Sequence, residues 1–166
     1  MKTTKIFLIV LTALLILAAN GFADDVTIPN MTGDAGATID IPVNIDSGYS
    51  VGVIGYQFTI TYNHSVLNCT TALKGSLTNG TGSNSWDTPS VNATVPGQII
   101  FLSSVSDTVT PLNGAAGSLA LIRCTAVGSP GASTSVEFGY AELVDQYLNQ
   151  MTPDTTPGTF IINPTP

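Results

Sequence analysis

The chain has 166 residues, 43% of them apolar and only 9% charged, with four Lys and Arg against eleven Asp and Glu and a net charge of −7. Such an acidic surface repels the phosphates of nucleic acid and of anionic lipid, which sets both aside as partners. Two cysteines and one histidine, His64, are too few and too scattered for a metal centre, and no cofactor is expected.

Lys2 and Lys5 precede an apolar run from Ile6 to Ala19 broken only by Thr12, and Gly21-Phe22-Ala23 puts small residues at the two positions a signal peptidase reads. This pattern predicts a secretory signal peptide over 1–23, cleaved after Ala23, and an extracellular protein. An uncleaved N-terminal anchor is the alternative, although the run is short for a membrane span. The mature chain, 24–166, keeps only Lys74 and Arg123 against eleven acids, a net charge of −9. It is the length of one domain and long enough to bury a core.

Val26 to Pro29 reads as a short first strand, and 33–36 as a turn. Thr38 to Ile45 alternates Ile39, Ile41, Val43 and Ile45 with polar residues, and Pro42 places this strand at an edge or bulge. Val53 to Tyr62 carries the clearest signal: Tyr56, Phe58, Ile60 and Tyr62 alternate with Gln57, Thr59 and Thr61, the period of a strand with one face in a core. Asn63 ends it, and Leu67 to Ala72 is the next strand. A Gly/Asn/Ser/Thr loop spans 75–85, and Trp86 to Val91 is short and irregular. After the Pro96-Gly97 turn, Gln98 to Ser104 is apolar on both faces at Ile99-Ile100-Phe101-Leu102. A long loop over 107–117 leads to Ser118 to Val127. Beyond a turn at 128–132, Ser133 to Leu143 places Val136, Phe138 and Tyr140 on one face, and Gly158 to Asn163 is the last strand. Pro164-Thr165-Pro166 reads as a linker stub. About nine strands with turns between them and no helical period predict an all-β fold, a two-sheet β-sandwich of jelly-roll topology. Its expected core is Ile39, Ile41, Phe58, Ile60, Tyr62, Leu67, Phe101, Ile122, Phe138 and Ile161.

The passage Tyr62-Asn63-His64-Ser65-Val66-Leu67 resembles the Tyr-Asp-Pro-x-x-Leu turn of cohesins, with Asn for Asp and His for Pro. Gly36-Ala37-Thr38-Ile39-Asp40-Ile41-Pro42-Val43 is similar to the family's Gly-x-Thr-x-x-x-Pro-Val strand, Ser85-Trp86-Asp87-Thr88 to its Ser-Phe-Asp-Thr stretch, and Gly117 to Ile122 to its Gly-x-x-x-x-Ile strand. The likeness covers 24–163 in order and spacing. It implies a non-catalytic module, found in cellulosome scaffolds that assemble polysaccharide-degrading complexes. Its partner would be a dockerin, a small calcium-loaded helical module that docks on the sheet of the third, fifth, sixth and eighth strands. On this chain the outward positions of that sheet would be Gly55, Gln57, Thr59 and Thr61, then Ile100 and Leu102, then Glu137 and Gly139. Gln57, Thr59, Thr61, Ile100, Leu102 and Glu137 are the expected partner-binding residues. If Ile99 and Phe101 fill the core, Ile100 and Leu102 form an exposed aliphatic pair suited to an interface centre, unless the 107–117 loop covers them. Gly55 and Gln57 stand where many cohesins carry Asn and Asp.

The cohesin arrangement also makes the strands of Cys69 and Cys124 neighbours, so a cross-strand disulfide is expected, with two buried free thiols as the alternative. Asn30, Asn63, Asn68, Asn79 and Asn92 head Asn-x-Ser/Thr sequons, candidates for N-glycosylation, and a glycan on Asn92 would stand near the docking sheet. No catalytic constellation appears: His64 lacks a nucleophile and an orienting acid, and Asp87 and Asp107 read as surface carboxylates. Trp86 fits packing, or with Tyr49 or Tyr147 a sugar-stacking platform. Two further readings stay open: a carbohydrate-binding or adhesive sandwich, favoured by a row of exposed aromatics, and a structural surface-layer component.

Overall fold

The alternating segments fold into twelve strands in a computed structural model that describes residues 25–47, 52–80, 85–105 and 111–165. The expected signal peptide lies outside the described residues. In chain order the strands are β1 (Asp25–Thr27), β2 (Met31–Gly33), β3 (Thr38–Ile45), β4 (Val53–Thr61), β5 (Leu67–Lys74), β6 (Ser90–Asn92), β7 (Gln98–Ser104), β8 (Gly117–Ala126), β9 (Ser133–Asp145), β10 (Gln150–Met151), β11 (Asp154–Thr156) and β12 (Gly158–Ile162). The excess over nine consists of β2, β10 and β11, pieces of two or three residues too short to show a period.

Two sheets face each other. One runs β11-β1-β3-β8-β5 and the other β2-β12-β9-β4-β7-β6, with β10 also pairing β9. Neighbours are antiparallel except β1 with β11 and β2 with β12. The inward residues of both sheets meet in one apolar core: Ile39, Ile41, Val43 and Ile45 from β3, Tyr56, Phe58 and Ile60 from β4, Ile99 and Phe101 from β7, Ala120, Ile122 and Cys124 from β8, and Phe160 and Ile162 from β12. Trp86 is 1% exposed and stacks on Tyr56 at 5.6 Å, so it packs and offers no sugar platform.

Polar groups drawn into this core are satisfied. The register of β3 on β8 slips between Val43 and Asn44, so Leu119 is an extra, bulged residue. Its carbonyl accepts from Thr78 Oγ1 at 2.8 Å, from the Gly75 N–H at 3.2 Å and from Tyr56 Oη at 3.3 Å. Burial drives the Tyr56 hydroxyl pKa well above the ordinary tyrosine range. Pro42 sits beside this irregularity and beyond the reach of β1, which pairs only Ile45 and Asn44, so the missing N–H costs no ladder bond on that side.

Three of the expected orientations change. Ile161 is 41% exposed while Phe160 and Ile162 are buried. Phe160-Ile161-Ile162 admits either strand phase, and burying Phe160 and Ile162 buries more apolar surface than burying Ile161 alone. Tyr62 is half-buried at the rim, not central. Tyr140 does not share the inward face of Val136, because β9 bulges against β4: Ile60 opposes Phe138 and Thr59 opposes Tyr140, which leaves Gly139 extra and turns Tyr140 outward.

Candidate functional site

The strands β9, β4, β7 and β6 lie side by side, and their outward residues form cross-strand rows set by the register. Ser90, Leu102, Gln57 and Glu142 make one row. Asn92, Ile100, Thr59 and Tyr140 make the next. A third joins Gln98, Thr61 and Glu137. The six expected residues, Gln57, Thr59, Thr61, Ile100, Leu102 and Glu137, therefore all stand on one face of one sheet. Gly55 and Gly139 do too: a Cβ on Gly139 would meet the methyls of Thr61 and Thr59 at 3.4 and 3.5 Å, and one on Gly55 would meet Val144 and Ser104.

The face is chemically divided. On β7, Ile99 and Phe101 are buried, which leaves Ile100 half-buried and Leu102 46% exposed. The described part of the long loop does not cover this pair. Leu112 instead bridges Val53, at the start of β4, and Pro111 lies against Gly52. The middle strand, β4, supplies neutral Gln57, Thr59 and Thr61. The far strand, β9, supplies Glu137, Glu142 and Tyr140, which is 44% exposed. Tyr140 Oη donates to Glu142 Oε2 at 2.5 Å, and this carboxylate pushes the phenol pKa up.

Tyr140 and Glu142 were not anticipated as surface residues of this face. The signal lay in Gly139, since an isolated glycine inside a strand pattern marks a bulge that flips the alternation. Beside Glu137, where β4 ends and β9 begins, Thr61, Tyr62, Asn63, Thr134 and Ser135 line a shallow polar groove.

The described residues do not bring the candidates for chemistry together. His64 and Asp87 are exposed and apart, Asp107 lies outside the described residues, and no group of three or more His, Cys, Asp or Glu side chains among the described residues is placed to hold a metal ion. Cys69 and Cys124 oppose one another on β5 and β8 and are bonded as a disulfide.

With the sandwich and its four-strand face in place, the decisive comparison is with protein families, where the cohesin domain matches residues 25–162. The chain belongs to the cohesin family. Among solved structures, the sixth cohesin of scaffoldin B from Acetivibrio cellulolyticus, solved with a mutated Cel5 dockerin, superposes with a TM-score of 0.69 at 22% identity, over 84% of this chain and 99% of that one. The Clostridium thermocellum Coh-OlpA–Doc918 complex gives 0.65 at 19%, over 84% and 99%. A non-cellulosomal cohesin from the archaeon Archaeoglobus fulgidus gives 0.63 at 21%, over 84% and 91%. Identities this low carry the fold alone. No match was found among curated protein sequences.

Proposed function

We propose that this cohesin domain is a secreted, non-catalytic receptor that docks a calcium-loaded dockerin-type module on the outward face of β9-β4-β7-β6 and so helps assemble extracellular, polysaccharide-degrading or cell-surface complexes. The observation that carries the reading is the exposed Leu102 with Ile100 beside it, an aliphatic centre ringed by Gln57, Thr59, Thr61, Ser90 and Asn92. Apolar centres with polar rims are how protein interfaces are built. Two solved cohesins of the same fold are complexes with dockerins, which supports the choice of partner. A buried disulfide suits an oxidising compartment and supports export. The five sequon asparagines are all exposed, and a glycan on Asn92, directly opposite Ile100, would obstruct docking.

One observation favours a second reading. Tyr140 is an exposed aromatic on this face, so direct contact with a glycan gains some support there. A row of aromatics is absent from the described outward positions, which keeps the protein partner first.

The test is capture. Mature protein, 24–166, is immobilised and offered the secreted proteins of its source in calcium and then in chelator. A calcium-dependent partner with duplicated Asp-rich loops is expected, and Leu102→Asp should abolish its retention, since a desolvated charge at an interface centre costs several kcal/mol. Retention of polysaccharide only, or of nothing in calcium, would move the adhesive sandwich to first place.

A further inference from the structure

Resting on the docking face just proposed, we infer that Tyr140 and Glu142 together form a receptor for one basic side chain, an Arg or Lys, of the docked partner. The bulge at Gly139 sets both residues on the outward side of β9. The bond from Tyr140 Oη to Glu142 Oε2 fixes the phenol beside the carboxylate, so the ring and the anion are presented as a unit. A carboxylate has about four acceptor sites, and this bond uses one. A planar guanidinium laid on the ring would meet both a negative π-face and an anion.

The charge around the pair calls for a cation from outside. Among the described residues the only Lys and Arg are Lys74 and Arg123, on β5 and β8 of the opposite sheet. Arg123 is already held by Asp40 in a two-pronged pair, Nε to Oδ1 and Nη2 to Oδ2, both at 2.8 Å. The outward positions of β9 instead add Glu137 to Glu142. Among the described residues no positive group stands on their sheet.

The register also sets the spacing of the partner's groups. Leu102, Gln57 and Glu142 occupy one row on three adjacent strands, so Leu102 and Glu142 stand about 10 Å apart. A helix laid across the strands spans that distance in seven residues. The partner that fits carries an apolar residue and, about seven positions along the same helical face, an Arg or Lys.

The first probe needs no partner. Arginine ethyl ester is titrated into the isotope-labelled protein while backbone and tyrosine-ring NMR shifts are followed, with citrulline ethyl ester as the uncharged control. Saturable shifts centred on Tyr140, Glu142 and Gln57 are expected for the arginine ester only, and Glu142→Gln should weaken them about threefold to tenfold. Equal shifts with citrulline, an even response at Glu137, Asp87 and Asp154, or persistence in Glu142→Gln overturns the inference. So does a response of Tyr140 to cello- or xylo-oligosaccharides without one to the arginine ester.

The second arm uses the calcium-dependent protein captured above. There Glu142→Gln should lower affinity by a similar factor and flatten its dependence on salt, whereas Leu102→Asp should remove binding. If Leu102→Asp has no effect, the docking face is misplaced. If Leu102→Asp acts and Glu142→Gln does not, the face stands and the receptor for a basic side chain falls.

Discussion

The Tyr62 hydroxyl lies 3.3 Å from both the backbone nitrogen and the carbonyl oxygen of Cys69. Cys69 belongs to β5, the outermost strand of its sheet, with β8 on one side only. Residues of an edge strand alternate between bonding the neighbour and facing the open edge, and the contacts with Tyr62 put the N–H and C=O of Cys69 on the open side, where unpaired groups template pairing with another chain. Tyr62, from the end of β4 in the other sheet, accepts from one and donates to the other. Its partial burial, which raises the phenol pKa, is the consequence of reaching across the rim. Tyr62→Phe keeps the ring and removes the cap. It should cost about 1 kcal/mol, a fall in Tm of about 3 °C in a domain of this size, read by calorimetry. An unchanged Tm would mean that water replaces the hydroxyl at no cost. The aromatic alternation that announced β4 cannot distinguish such a capping tyrosine from a core one, because both are apolar bodies at inward positions.

At the scale of the element, period two told strands from loops reliably where a strand was long. It gave β3 and β7 to the residue and β4, β8 and β9 to within one or two. Phase failed where the code is degenerate or the ladder slips. In β12 three apolar residues in succession hide which face is inward, and only the pairing of Phe160 with Thr134, itself buried, settles it. Exchange of the two faces is testable: Phe160→Ala should cost about 3–5 kcal/mol in urea unfolding, whereas Ile161→Ala should cost about 1 kcal/mol or less. Similar losses at both positions would contradict the assigned phase. The hairpin from β9 to β10 was hidden for another reason. Its turn, 145–149, holds neither Gly nor Pro, and Leu148 takes the left-handed position with φ 66°. The turn is held by Asp145, whose Oδ1 accepts the N–H groups of Tyr147 and Asn149 at 2.8 Å while Oδ2 takes Asn149 Nδ2 at 2.9 Å. Those bonds, the Asn149 side chain first, hold the Asp145 pKa below the ordinary carboxylate value. Asp145 and Asn149 are turn residues by type, but without Gly or Pro between them they mark the turn only weakly, and backbone bonds between Asp145 and Asn149 and from Leu148 to Asp145 complete it.

At the scale of the molecule, the proposed docking residues and the covalent brace sit on opposite sheets. The face that carries Leu102, Tyr140 and Glu142 belongs to the β9-β4-β7-β6 sheet, while the disulfide and the Arg123–Asp40 pair brace the other. The family likeness made the face legible by strand number, and alternation then named Gln57, Thr59, Thr61, Ile100, Leu102 and Glu137. Tyr140 and Glu142 stayed hidden because a bulge is a property of two strands, and one strand's sequence shows only its glycine. Division of labour between the sheets has a consequence for stability. Cys69 and Cys124 are 55 residues apart, and closing that loop restricts the unfolded chain by about 4 kcal/mol on the chain-entropy account. Both sulfurs are buried, so the bond pins the edge strand β5 to β8 without touching the proposed docking face. The Cys69→Ala, Cys124→Ala double variant should therefore lose about 4 kcal/mol in denaturant while any folded fraction keeps the affinity of the parent for the captured partner. An equal loss of affinity, corrected for folded fraction, would show that the braced sheet and the docking sheet move as one. Unchanged stability would place the constraint in residual structure of the unfolded chain instead.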